Sequence, residues 1–216
     1  MADNRFGVDE EFVERQREIY KSSYISIALL VINIIVFVLS NTIARFLYSE
    51  WVMDTTLIVR DGEFYRLFSA IFMHLNMDHL FNNMMVLLLV GALIENYLGH
   101  FAYFFLYIIA GTFGNLLSMY YEINSGDFRI SLGASGATMG IVGFLVVWLV
   151  INRKTLVKDR SMIFRLLLLL LLVINACFFQ PQANTQAHLG GFIAGFIFGL
   201  INIVIFKNRK NMEGIV

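Results

Sequence analysis

Four stretches of the chain, residues 22–44, 96–121, 130–152 and 166–206, contain no Asp, Glu, Lys or Arg. Each is long enough to cross a hydrocarbon core, which takes about 20 mostly apolar residues as a helix. At that depth every backbone N–H and C=O must be bonded internally, so only helices or a closed barrel can span. The period-two alternation of a barrel strand is absent, which leaves helices. With 58% hydrophobic and 15% charged residues among 216, against about 25% charged in soluble domains, a water-soluble globule is excluded.

The chain divides into an N-terminal segment 1–22, a membrane domain 23–206 and a tail 207–216. Six spans are expected, at about 23–42, 79–98, 101–121, 134–152, 161–179 and 187–206, with a long mixed-charge loop over 43–78. The first apolar run is too long for the core of a cleaved signal and lacks a small-residue cleavage site, so it reads as a retained span. Basic residues are retained on the cytoplasmic side of short loops. With the N-terminus inside, twelve of the sixteen Lys and Arg are cytoplasmic; only Arg45, Arg60, Arg66 and Arg129 are not. The expected fold is therefore an all-α six-helix bundle with both termini in the cytoplasm and the 43–78 loop outside.

Sixteen charges of each sign cancel, which removes any general electrostatic case for a nucleic-acid partner. The single cysteine, Cys177, cannot close an internal disulfide and reads as a small packing or lipid-facing residue.

In a lipid-embedded chain the informative residues are polar ones at membrane depth, because each is costly unless it faces protein or a water-filled cavity. These are His74, His79, Asn82, Asn83, Asn115, Ser118, Ser135 and His188. Spans two, four and six all run from outside to inside, so His79, Asn83, Ser135 and His188 come to similar depth. Ser135 lies in Gly133-Ala134-Ser135-Gly136, where a polar loop meets an apolar helix and the unpaired amides of the first turn favour developing negative charge. A helix N-cap serine is the plainer reading of that motif. The α/β-hydrolase nucleophile elbow does not fit, since residue 137 is Ala and no strand pattern precedes the serine.

Gly191, Gly195 and Gly199 lie near the His188 face of span six, and Gly136, Gly140 and Gly143 share one face of span four. Such small faces let helices approach closely, which would bring His188 to Ser135; a histidine bonded to a neighbouring helix is the plainer reading. His79 and Asn83, four apart, share a helical face and carry N–H donors suited to an oxyanion. His74, five residues before His79, can orient the site or connect it to the loop. No H-x-x-x-H or H-E-x-x-H spacing exists and His100 falls at the opposite membrane face, so no metal or other cofactor is expected.

Taken together, these residues resemble the rhomboid intramembrane serine proteases over about residues 60–200. The resemblance rests on Tyr65-Arg66, the H-x4-H-x3-N set of His74, His79 and Asn83, Glu95 with Leu98-Gly99, Gly133-Ala134-Ser135-Gly136, and Ala187-His188-x-x-Gly191. It implies a bacterial-type six-helix core in a bacterial cytoplasmic membrane. It also implies Ser135 as nucleophile, His188 as general base and then acid, and His79, Asn83 and the Ser135 backbone amide as the oxyanion hole. His74, Gly133, Gly136 and Gly191 support that site. The implied substrates are transmembrane proteins of the same bilayer, cut near helix-destabilising sequence, and no cofactor is implied. Tyr65 stands where the family usually has Trp, and Met139 where many relatives carry an aromatic against the histidine. No Asp or Glu is placed as a third member, in keeping with a Ser-His dyad. The alternative is a proteolytically inactive rhomboid-like factor that binds membrane-protein clients; inactive relatives lack the serine or the histidine. A transporter or channel is disfavoured, because the chain lacks the charged intramembrane residues and symmetrically broken helices expected of one.

Overall fold

The computed structural model describes residues 10–153, 167, 171, 183–208 and 212; the expected span 161–179 with Cys177, and Pro181, lie outside them. Helix α1 (Glu10–Ser22) leads into α2 (Tyr24–Asn41). The segment that follows holds α3 (Phe46–Trp51), strand β1 (Met53–Asp54), α4 (Thr55–Asp61), α5 (Arg66–Ser69) and a 3-10 turn over Ala70–Phe72. Then come α6 (Met77–Leu98), α7 (His100–Ser125), strand β2 (Ile130–Ser131), α8 (Ser135–Ile151) and α9 (Thr185–Ile205). Helices α2, α6, α7 and α9 are long and apolar enough to cross a membrane, and α8 is a shorter apolar helix.

Glycines set the packing of α7, α8 and α9. A Cβ added at Gly191 would overlap the Gly136 carbonyl oxygen, one at Gly195 the Gly140 carbonyl, and one at Gly143 the Phe192 carbonyl. A Cβ at Gly114 of α7 would meet the Ala187 carbonyl at 2.5 Å. The three backbones approach as closely as backbones can, the arrangement that small residues permit where lipid supplies no hydrophobic drive between helices.

A buried carboxylate joins the N-terminal part to this core. Ser23, ahead of α2, makes no side-chain cap bond. Instead Glu95 of α6, its side chain fully buried, accepts from the Ile25 and Ser26 amides at 2.8 and 2.7 Å. Two otherwise unpaired first-turn donors are thereby satisfied by a group 69 and 70 residues away.

Several expectations need correction. Residues 43–78 are not an open loop but a run of short elements, each too brief to show a hydropathy period. Asp54 caps α4 by accepting from Thr56 N at 2.9 Å and Leu57 N at 3.3 Å. The buried Arg66 donates to the Ser49 and Val52 carbonyls at 2.7 and 3.0 Å and pairs with Glu63. A strand does precede Ser135: β2 pairs antiparallel with β1, Met53 opposite Ser131 and Asp54 opposite Ile130. The polar N-terminal segment contains a helix, α1, whose Ile19 is buried and which packs on the C-terminal part of α6. The sixth span, expected from about 187, begins two residues earlier, since Thr185 and Gln186 already belong to α9. The third span, expected to end near 121, continues to Ser125 and so takes in the buried Glu122.

Candidate active site

The first residue of α8 is Ser135, and the position ahead of it is taken by Ala134, in helical backbone conformation and without a side-chain cap bond. Ser135 is therefore not the N-cap that its motif alone suggests. Its Oγ lies 2.7 Å from Nε2 of His188, across 53 residues of sequence. His188 is buried and sits on the second turn of α9, three residues before Gly191. The contact follows from the glycine packing, because Gly136 and Gly191 touch backbone to backbone, the first next to Ser135 and the second three residues on from His188, on the same side of its helix. As a first-turn residue, Ser135 also has a backbone N–H without an intrahelical partner.

On the other side of the serine, Gly133 has φ +129°, a conformation only glycine adopts readily. A Cβ there would lie 2.6 Å from His79 Cε1, 2.7 Å from His79 Nε2 and 3.7 Å from Ser135 Oγ. The His79 ring and the serine hydroxyl thus face one small space, kept open by the missing Cβ. The Gly133 N–H donates to the Ala70 carbonyl at 2.9 Å, which fastens this turn to the 3-10 segment.

Asn83 is buried one helical turn below His79. Its Nδ2 donates to the His79 carbonyl at 2.9 Å, and its Oδ1 lies 3.4 Å from Thr138 Oγ1. One of its two N–H donors is therefore used within α6. Thr138, which the sequence reading passed over, also donates to the Ser135 carbonyl at 3.0 Å. Its spacing of three from the serine was the available signal.

His74 is buried with its ring 5.2 Å from that of His79, edge to face. Neither of its ring nitrogens has a hydrogen-bond partner among the described residues. Burial, reinforced by the adjacent His79, pushes its pKa down to about 3, so it is a neutral ring. Met139 is buried in α8 within the main core. His100 bonds Glu95 at 2.7 Å, in the cluster at the N-terminus of α2 and away from Ser135.

Comparisons with known proteins agree with the residue pattern. The family model of the Rhomboid domain matches residues 61–204. The chain belongs to the rhomboid family. Its multi-pass helical architecture and apolar spans make it an integral membrane protein, like other members. RHOMBOID-like protein 5 of Arabidopsis thaliana is 34% identical over 144 residues, covering 67% of this chain and 46% of that protein. RHOMBOID-like protein 1 of the same plant is 31% identical over 167 residues, 75% of this chain and 42% of the relative. Rhomboid protease GluP of Bacillus subtilis (strain 168) is 27% identical over 139 residues, 64% of this chain and 26% of its own length. The rhomboid chain thus matches less than half the length of each of these relatives.

Proposed function

We propose that the protein is a serine endopeptidase that cleaves transmembrane segments of other membrane proteins. The observation that carries this reading is the 2.7 Å contact between His188 Nε2 and Ser135 Oγ, a nucleophile with its base in hydrogen-bond reach. His188 takes the hydroxyl proton as Oγ attacks the scissile carbonyl. The resulting oxyanion faces the Ser135 amide and the His79 ring, with the second Asn83 N–H within the same corner of α6 and α8. Collapse of the tetrahedral species breaks the C–N bond, and the proton held by His188 passes to the leaving amine. Water, deprotonated by the same ring, then hydrolyses the acyl-serine and returns both groups to their starting state.

The substrate class follows from the setting. An amide within an intact helix is already hydrogen-bonded and shielded, so segments that unwind readily are the ones this site accepts. The six-span topology, with span five over 161–179 and both termini in the cytoplasm, belongs to this proposal, as does residence in a bacterial cytoplasmic membrane. Labelling by a fluorophosphonate in detergent, with the adduct mapped by mass spectrometry, is the test. Modification of Ser135 and its absence in Ser135→Ala support the reading; cleavage of a reporter by Ser135→Ala overturns it and favours client binding without proteolysis.

A further inference from the structure

One side chain outside the proposed chemistry makes three contacts that converge on it. Asn184 precedes α9 and caps it, its Oδ1 accepting from Ala187 N at 3.0 Å. Its Nδ2 donates to Ser118 Oγ of α7 and to Ser131 Oγ of β2, both at 2.7 Å. Its backbone carbonyl accepts from the His188 N–H at 3.0 Å. A primary amide has two N–H donors and one carbonyl, so every polar atom of this side chain is used, each toward a different element.

These partners surround the two groups of the site. Ser131 lies four residues before Ser135 and is held by the β1 pairing; it is buried. Ser118 is buried and donates in turn to the buried Glu122 at 3.1 Å. The amide therefore ties the beginning of α9, one turn from His188, to the strand that leads into Ser135 and to the end of α7. The glycine contacts bring α8 and α9 together but leave sliding along the axis less constrained, because a carbonyl facing a glycine offers no directional bond. The two 2.7 Å hydrogen bonds from Asn184 to Ser118 and Ser131 are directional and add a restraint between α9 and its neighbours.

We propose that Asn184 is a positioning residue that holds His188 in register with Ser135 through its bonds to Ser131 and Ser118. This rests on the protease reading above. Capping alone would make Asn184 interchangeable with serine, since Asn and Ser cap about equally well. A serine at 184 reaches the Ala187 amide but is too short to bridge two further hydroxyls.

The test compares Asn184→Ser, Asn184→Ala and the double variant Ser118→Ala/Ser131→Ala on the full chain in detergent. Readouts are kcat and KM for a transmembrane reporter, the fluorophosphonate labelling rate, and the thermal midpoint, with Ser135→Ala in parallel. Expected for Asn184→Ser is a midpoint close to wild type with kcat and labelling lowered ~10–10²-fold and KM little changed, as for displacement of a catalytic group by a fraction of an ångström to 1 Å. The double variant, which keeps the cap, should lose kcat similarly. Asn184→Ala should lose both kcat and midpoint. Wild-type kcat in Asn184→Ser or in the double variant overturns the proposal while an inactive Ser135→Ala leaves the protease reading standing. A wild-type protein that neither cleaves nor labels removes that reading and this inference with it.

Discussion

The glycine contacts make the site unusually sensitive to a single methyl group. In Gly191→Ala the added Cβ overlaps the Gly136 carbonyl oxygen, whereas ordinary contact begins at 3.4 Å. Relieving the overlap separates α8 and α9 locally by on the order of 1 Å, the kind of backbone shift that overpacking forces. Gly191 is three residues from His188 and Gly136 is adjacent to Ser135, so the shift falls on the 2.7 Å contact between them. Lengthened by that amount it passes about 3.6 Å, beyond which no hydrogen bond remains. A misplacement of 1 Å costs ~10²-fold, and complete loss of general-base assistance ~10²–10⁴-fold. Gly191→Ala is therefore expected to lower kcat at least ~10²-fold, with ~1–3 kcal/mol of destabilisation. Gly199→Ala is the control: its Cβ would meet Val147 Cβ at 3.1 Å and Cγ2 at 3.3 Å, a contact that a local shift of a few tenths of an ångström relieves, about 12 Å along the helix from Gly191. It should stay within ~3-fold of wild type. Initial cleavage rates and fluorophosphonate labelling in matched detergent, alongside thermal unfolding, decide the matter. Wild-type labelling of a folded Gly191→Ala protein, or an equal loss in Gly199→Ala, would refute the reasoning.

The remaining expectations concern individual groups. His188→Ala should be as inactive as Ser135→Ala, whereas His79→Ala and Asn83→Ala should each lose ~10²–10³-fold yet keep measurable activity, because the Ser135 amide remains; cleavage rates of one reporter rank them. Stability should fall as pH drops from 6.5 toward 3, since unfolded chains protonate His74 at its ordinary value of 6.5 while the folded protein resists until about 3. Thermal midpoints against pH should show a shallower slope in His74→Phe, and an unchanged slope would remove His74 as the source. Glu95→Ala strips two buried charge-assisted bonds from the start of α2 and should cost ~2–4 kcal/mol; Glu95→Gln, which keeps an acceptor, should cost less in the same melt, and equal costs would speak against capping. For the proposed topology, a cysteine replacing the exposed Val59, in a Cys177→Ala background, should label from outside intact cells, and one replacing Val13 only after permeabilisation. The reverse pattern would invert the orientation.

Much of the membrane architecture was legible along the chain. An apolar run in lipid has to form its own backbone hydrogen bonds, so a span is decided within about 20 residues and hydropathy suffices to find it. The helices Tyr24–Asn41, Met77–Leu98, His100–Ser125 and Thr185–Ile205 are local in this sense. So is the prominence of Ser135, His188, His79 and Asn83, since polar groups in apolar sequence mark themselves. The 43–78 segment was not legible, because its elements are four to seven residues long or shorter and are held by distant partners such as Arg66 on the Ser49 and Val52 carbonyls.

Tertiary structure alone decided the rest. No local signal pairs Gly191 with Gly136 and Gly195 with Gly140, and it is this register that sets His188 against Ser135. The same holds for Glu95 serving a helix about 70 positions away and for Asn184 bridging α7 and β2. Each spans helices whose separate formation costs nothing to the others. A side chain's partner across such a gap depends on how the helices rotate and slide against each other, and that is fixed by backbone contact at glycines and by a few directional hydrogen bonds, not by the apolar character that inserts each helix.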